Sequence, residues 1–138
     1  MNETIRVILV DDEARVRKGV RLLLELEPDI EVVGEAADGR AAIEVAHTAR
    51  PHVAVLDIEM PGQDGIAVAA AMRRSLPGTA VVILSLHDDD RTRARALESG
   101  AMALVCKTAP DGVLVESIRR AAAPTSNHQE YRSEFLPE

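Results

Sequence analysis

Ile5-Arg6-Val7-Ile8-Leu9-Val10 runs directly into Asp11-Asp12. A short β-branched apolar run that stops at carboxylates reads as a buried strand opening onto a polar loop. The pattern returns downstream. Residues 53–56 run into Asp57, residues 81–84 into Ser85, and residues 103–106 into Lys107. Residues 30–33 form a further short run, read as a strand ended by Gly34. Helical patterns lie between these runs. Residues 13–27 place Val16, Val20, Leu23 and Leu24 on one face. Ile43, Ala46 and Ala49 mark a second helix, after the turn or cap at Asp38-Gly39. Residues 66–76 form an alanine-rich third, and residues 88–99 a polar fourth ended by Gly100. Leu114, Ile118, Ala121 and Ala122 line a fifth, which starts near Pro110. Pro28-Asp29, Pro51, Pro61-Gly62 and Pro77-Gly78 punctuate the sequence. Apolar strands alternating with helices of this length predict an α/β fold with a five-stranded parallel sheet covered on both faces. The expected strand order is 2-1-3-4-5, the flavodoxin-like doubly wound arrangement.

The chain has 138 residues, 46% hydrophobic and 28% charged, which fits one soluble domain. Residues 1–123 are assigned to it. Residues 124–138, polar and with little to bury, are read as a linker or disordered C-terminal tail. Both aromatic rings, Tyr131 and Phe135, fall in that tail, so the core must be aliphatic. A net charge of −7 with no basic stripe disfavours direct binding to nucleic acid or a membrane surface. The lone Cys106 excludes an internal disulfide and a cysteine zinc cage, and it reads as a small buried hydrophobe. No apolar run approaches the ~20 residues of a membrane span, and the first residues do not read as a signal peptide. A cytoplasmic location is expected.

In a doubly wound sheet, ligands bind outside the carboxyl ends of the strands, where the strand order reverses. With order 2-1-3-4-5 that crevice lies between strands one and three, so Asp11, Asp12 and Asp57 should converge. Three carboxylates repel one another, and a hard cation with oxygen ligands, Mg²⁺ or Mn²⁺, relieves the repulsion. Lys107 adds an ammonium and Ser85 a hydroxyl. Such a set suits a tetrahedral dianion, and a carboxylate can itself act as the nucleophile. Each residue also has an ordinary reading, because Asp after a strand commonly caps a turn or helix. Asp88-Asp89-Asp90 reads as a helix N-terminus favouring negative charge. His47 and His52 have no ligand-like spacing and read as surface or packing residues.

The set resembles a response regulator receiver domain of two-component signalling. The matching stretches are Ile8-Leu9-Val10-Asp11-Asp12-Glu13, Asp57-Ile58-Glu59-Met60-Pro61-Gly62 with Asp64-Gly65, Ile83-Leu84-Ser85, and Lys107. Val32-Val33-Gly34-Glu35-Ala36 and Ser85-Leu86-His87-Asp88-Asp89 are most similar to the NarL/LuxR-type subfamily. The resemblance implies a phosphorylation-dependent switch that accepts a phosphoryl group on Asp57 from a sensor histidine kinase. It implies that Asp12 is a direct Mg²⁺ ligand, that Asp11 holds the metal through water, and that the Glu59 backbone carbonyl is a further ligand. Ser85 then matches the switch hydroxyl, and Lys107 the lysine that pairs with the phosphoryl group. Leu104 stands where the family often has an aromatic residue or histidine, so an aromatic switch is not expected there. Thr108 stands where many receivers have proline. Glu59 and His87 flank the pocket rim and are expected to tune the phosphoryl lifetime. Members of this subfamily usually carry a helix-turn-helix domain after the receiver, so contact with DNA is expected only indirectly, through a domain missing from this chain.

Two other readings stand beside this one. A Mg²⁺-dependent phosphatase with an aspartate nucleophile would usually show Asp-x-Asp after the first strand, whereas Asp57-Ile58-Glu59 follows the third. A degenerate receiver used only for binding would not need the intact acidic, Ser and Lys set. A P-loop enzyme is excluded because the Gly-x-x-x-x-Gly-Lys-Ser/Thr motif does not occur. Homodimerisation through helices one and five is a further expectation, with Leu22, Leu26 and residues 113–123 as the face, although packing on the sheet needs some of the same residues.

Overall fold

A computed structural model describes residues 3–123. The tail at 124–138, with Tyr131 and Phe135, lies outside the described residues. Five strands, β1 (Ile5–Val10), β2 (Ile30–Ala36), β3 (Val53–Asp57), β4 (Ala80–Ser85) and β5 (Ala103–Cys106), alternate with five helices. The helices are α1 (Ala14–Glu25), α2 (Gly39–Ala49), α3 (Gly65–Ser75), α4 (Asp90–Glu98) and α5 (Asp111–Ala121). The strands form one sheet in the order β2-β1-β3-β4-β5, and every pairing is parallel.

Alternation along each strand splits the core in two. Ile8, Val10, Leu56, Ile83 and Leu104 pack with Ala42, Ala46, Met72 and Ala96, the cluster that α2, α3 and α4 cover. Val7, Leu9, Val55, Val82 and Val105 pack with Leu24, Leu114, Val115 and Ile118, the cluster under α1 and α5. Both layers are aliphatic. Parallel strands buried on both faces read as continuous apolar runs for this reason. Leu104 is 7% exposed and belongs to the α2–α4 layer, so it fills space rather than presenting a group to the surface.

The starts of α2, α3 and α4 are capped by aspartates. Asp38 accepts from the Ala41 amide at 2.8 Å, Asp64 from the Ile66 and Ala67 amides, and Asp89 from the Thr92 amide. Each satisfies amides that the first helical turn leaves unpaired.

Two of the sequence expectations change. Gly34 does not end β2, which continues to Ala36. The register of β2 slips between Val7 and Ile8, pairing Val7 with Val32 but Ile8 with Gly34, so Val33 is the inserted residue of a bulge. A Cβ on Gly34 would lie 2.6 Å from Val45 Cγ1 of α2, so glycine is there for close approach. Cys106 is only half-buried, with Sγ 3.2 Å from the Thr108 hydroxyl.

Candidate functional site: the carboxyl edge of the sheet

The site is assembled from strand ends. β1 delivers Asp11 and Asp12, β3 delivers Asp57, β4 delivers Ser85, and β5 delivers Lys107 one residue past its end. Parallel pairing places all of these ends on one edge. Asp11, Asp12 and Asp57 each offer a carboxylate oxygen, and the three lie within 4.8 Å of one another. Asp11 is 5% exposed and Asp57 3%, while Asp12 is exposed.

The ordinary and chemical readings of these aspartates turn out to be compatible. Asp11 Oδ1 accepts the Glu13 amide at 2.9 Å, and Asp57 Oδ1 accepts the Glu59 amide at 2.9 Å. Each is a side-chain turn two residues long that fixes its carboxylate. Lys107 Nζ lies 2.8 Å from Asp57 Oδ1 and 3.1 Å from Glu59 Oε1. Gly65 holds the loop after β3 tight, because a Cβ there would meet Ile58 Cα at 2.4 Å.

Four carboxylates, counting Glu59, face one ammonium. Burial pushes the Asp11 carboxyl up to about 6; the Glu13 amide opposes the rise and the neighbouring Asp57 adds to it. Burial alone would lower the Lys107 ammonium, but its bonds to Asp57 and Glu59 outweigh that and raise it. Burial also works against the Glu59 carboxylate. The Ser85 hydroxyl, the Leu86 amide and Lys107 more than compensate, so it sits below the usual carboxylate range. Hard oxygen donors at this spacing, with excess negative charge, fit Mg²⁺ or Mn²⁺.

The structure brings together Asp11, Asp12, Asp57, Glu59, Ser85 and Lys107. Ser85 is fully buried; its Oγ donates to Glu59 Oε2 at 2.6 Å and accepts the His87 amide at 2.9 Å. His87 is exposed and meets the site through that backbone amide. Leu104 is in the core. Sequence reasoning missed two participants. Arg17 Nη1 donates to the Asp11 carbonyl at 2.5 Å while its Nε bonds Glu35 at 3.0 Å, so α1 holds the end of β1 in place. The Leu86 amide donates to Glu59 Oε1 at 2.9 Å. Arg17 sits four residues before Arg21 on a charged helix and carries no distinguishing local signal. A backbone amide carries none at all.

Residues 7–119 match the family model described as the response regulator receiver domain. The transcriptional regulatory protein LiaR of Bacillus subtilis is 36% identical over 118 residues, which cover 86% of this chain and 56% of LiaR. The chain thus spans about half the length of the curated relatives it matches. Among solved structures, the signal receiver domain of NarL from Mycobacterium tuberculosis superposes with a TM-score of 0.80 at 39% identity, covering 87% of this chain and 97% of that one. The isolated receiver of RcsB from Salmonella enterica, in the presence of phosphomimetic BeF3⁻, superposes with a TM-score of 0.78 at 26% identity, covering 86% and 88%. The chain belongs to the response regulator receiver domain family of two-component signalling, and its relatives include NarL/LuxR-type regulators.

Proposed function

We propose that Asp57 is the phosphoacceptor of this receiver and that the carboxyl edge is its phosphorylation site. The observation that carries the reading is the position of Asp57: buried, bonded to Lys107 at 2.8 Å, and grouped with the Asp11 and Asp12 carboxylates. A carboxylate oxygen of Asp57 attacks the phosphorus of a phosphodonor. An O–P bond forms, and the bond from phosphorus to the donor breaks, leaving an aspartyl phosphate. The donor is the phosphohistidine of a sensor histidine kinase, and the imidazole is its leaving group. Asp12 directly, Asp11 through water, Asp57, and the Glu59 carbonyl would hold Mg²⁺ or Mn²⁺, which supplies charge neutralisation. Lys107 and Ser85 bind phosphoryl oxygens. The domain is a signalling module, and its chemistry is limited to taking up and losing its own phosphoryl group.

Acetyl phosphate with Mg²⁺ should label the native chain at Asp57. Asp57→Asn should reduce labelling to background; equal labelling of that variant overturns the assignment. Glu59 and His87, at the rim, set how long the phosphoryl group survives. Unchanged dephosphorylation rates after both Glu59→Ala and His87→Ala would remove them from that role.

Output passes through a DNA-binding domain beyond this chain, in the cytoplasm, and through self-association of α1 and α5. Leu22, Leu26 and Val113 are 56%, 77% and 42% exposed and form the apolar part of that face. Leu114, Val115 and Ile118 are committed to the core, so the face is narrower than residues 113–123. Solution mass with and without beryllofluoride and Mg²⁺ tests it; an unchanged monomer removes the dimer. Among the described residues, no helix is long and apolar enough to cross a membrane.

A further inference from the structure

The Glu59 side chain does more than line the rim. Its two oxygens collect three donors from the ends of two strands: the Ser85 hydroxyl at 2.6 Å and the Leu86 amide at 2.9 Å from β4, and the Lys107 ammonium at 3.1 Å from β5. A buried hydroxyl, a backbone amide and an ammonium converging on one point form an anion hole. The same ammonium reaches Asp57 Oδ1 at 2.8 Å, so the hole adjoins the carboxylate that would carry the phosphorus.

We propose that the Glu59 carboxylate is an internal stand-in for the phosphoryl group, occupying its oxygen sites in the resting protein and competing with loading of Asp57. The inference rests on Asp57 being the phosphoacceptor. It places the effect of Glu59 on the loading step, in addition to any effect on phosphoryl lifetime.

Chemistry and geometry agree on competition. A phosphoryl group on Asp57 brings anionic oxygens that need hydroxyl, amide and ammonium donors. Each of those donors already serves Glu59. The Ser85 hydroxyl has one hydrogen to give, and its oxygen already accepts from the His87 amide. That hydrogen cannot serve Glu59 fully and a phosphoryl oxygen as well. Two like-charged anions in one small hole also repel. Loading therefore requires the Glu59 side chain to swing out. It has a route, because the side chain is 26% exposed. The apparent affinity for any phosphoryl-like anion is the intrinsic affinity scaled by the fraction of molecules with Glu59 displaced. A hole occupied by Glu59 nine times in ten lowers apparent affinity about tenfold.

The test uses the whole chain and beryllofluoride, which stands in for a phosphoryl group on aspartate. Affinity for beryllofluoride at saturating Mg²⁺ is measured for the native protein, Glu59→Ala, Glu59→Gln and Asp57→Asn, with Mg²⁺ affinity titrated separately. Loading from acetyl phosphate is timed in parallel. The expected result is that both Glu59 variants bind beryllofluoride and load about 5–10-fold better than native, with Mg²⁺ affinity no higher. In the protein without Mg²⁺, the Leu86 amide proton should move upfield in Glu59→Ala as its hydrogen bond is lost. Glu59→Gln keeps the side-chain shape, so the test survives a folding defect in the alanine variant. Glu59 variants that gain nothing, while Asp57→Asn loses both binding and loading, overturn the stand-in and leave the phosphoacceptor intact. Gains matched by an equal rise in Mg²⁺ affinity also overturn it, since the metal then explains them. If Asp57→Asn binds and loads like native, the phosphoacceptor assignment falls and the stand-in falls with it.

Discussion

The two ends of the sheet use polar side chains in opposite ways. At the amino ends of the strands they close bonds that the fold itself needs. Arg6 donates to the carbonyls of Ala49 and Arg50, the last orphans of α2, beside the left-handed Arg50 at φ 50°. His52 Nδ1 accepts the Arg6 amide at 2.9 Å, and the His52 amide returns the bond to the Arg6 carbonyl at 2.8 Å. The Thr79 hydroxyl donates to the Pro51 carbonyl at 2.9 Å, and Arg119 grips Asp29 and Glu27. At the carboxyl ends, four carboxylates share one ammonium, and Asp11 is held near 6 by its burial. One edge is electrically settled. The other is left short of positive charge, as sites for chemistry commonly are.

The contrast can be broken at four places. The largest effect is expected from Lys107→Met, which leaves four carboxylates without their ammonium. Metal-free stability should fall by about 1–3 kcal/mol, below the full cost of breaking a buried pair because Lys107 is partly exposed. Saturating Mg²⁺ should restore most of the loss, as read by denaturant unfolding. Thr79→Val, at the opposite edge, should cost about 1–2 kcal/mol by orphaning the Pro51 carbonyl. Here Mg²⁺ should restore nothing; a rescue equal to that of Lys107→Met would erase the distinction between the edges.

A smaller effect of opposite sign should come from Asp11→Asn. The amide can still accept from Glu13 but carries no charge, so the metal-free protein should gain about 1 kcal/mol at neutral pH while Mg²⁺ affinity falls. The pH dependence follows from the raised Asp11 carboxyl. Its folded value, about 6, lies above its ordinary 3.8, so the folded state holds the proton more tightly. Stability from that proton is present below about 4 and is lost as pH rises through about 6. The native protein should therefore lose stability relative to Asp11→Asn across pH 4–6, and a flat difference curve would remove the buried-charge account. The smallest effect belongs to Arg119→Ala. Arg119 and Asp29 are each 38% exposed and Glu27 32%, so solvent screens these pairs, and the small loss should shrink further in high salt.

Most of the carboxyl edge was legible because topology, not local chemistry, assembles it. Once the apolar runs are read as parallel strands, the residues after them must meet. Asp11, Asp57, Ser85 and Lys107 needed nothing more. What escaped the sequence was the partner of each long side chain. Glu59 was read as a rim residue, yet its oxygens reach donors 26 and 48 positions away, on β4 and after β5. No spacing rule encodes such a reach. Gly34 was misread for a related reason. A glycine inside an apolar run signals either a stop or a close approach, and only the position of Val45 on α2 decides between them. Cys106 was placed inside because its strand is apolar, but the strand ends there and the thiol meets Thr108 instead.

The ringless core also decides how this protein can be watched. Residues 1–130 carry no Phe, Trp or Tyr, so the described residues contribute no aromatic signal in near-ultraviolet absorption, dichroism or intrinsic fluorescence. Whatever signal the chain has above 270 nm comes from Tyr131, outside the described residues. Phosphorylation has no ring within residues 1–130 to report it in the near ultraviolet. The same silence makes it a clean host: one tryptophan at the exposed Leu86, beside the Glu59 carboxylate, would be the sole indole in the molecule and would report on that edge without background.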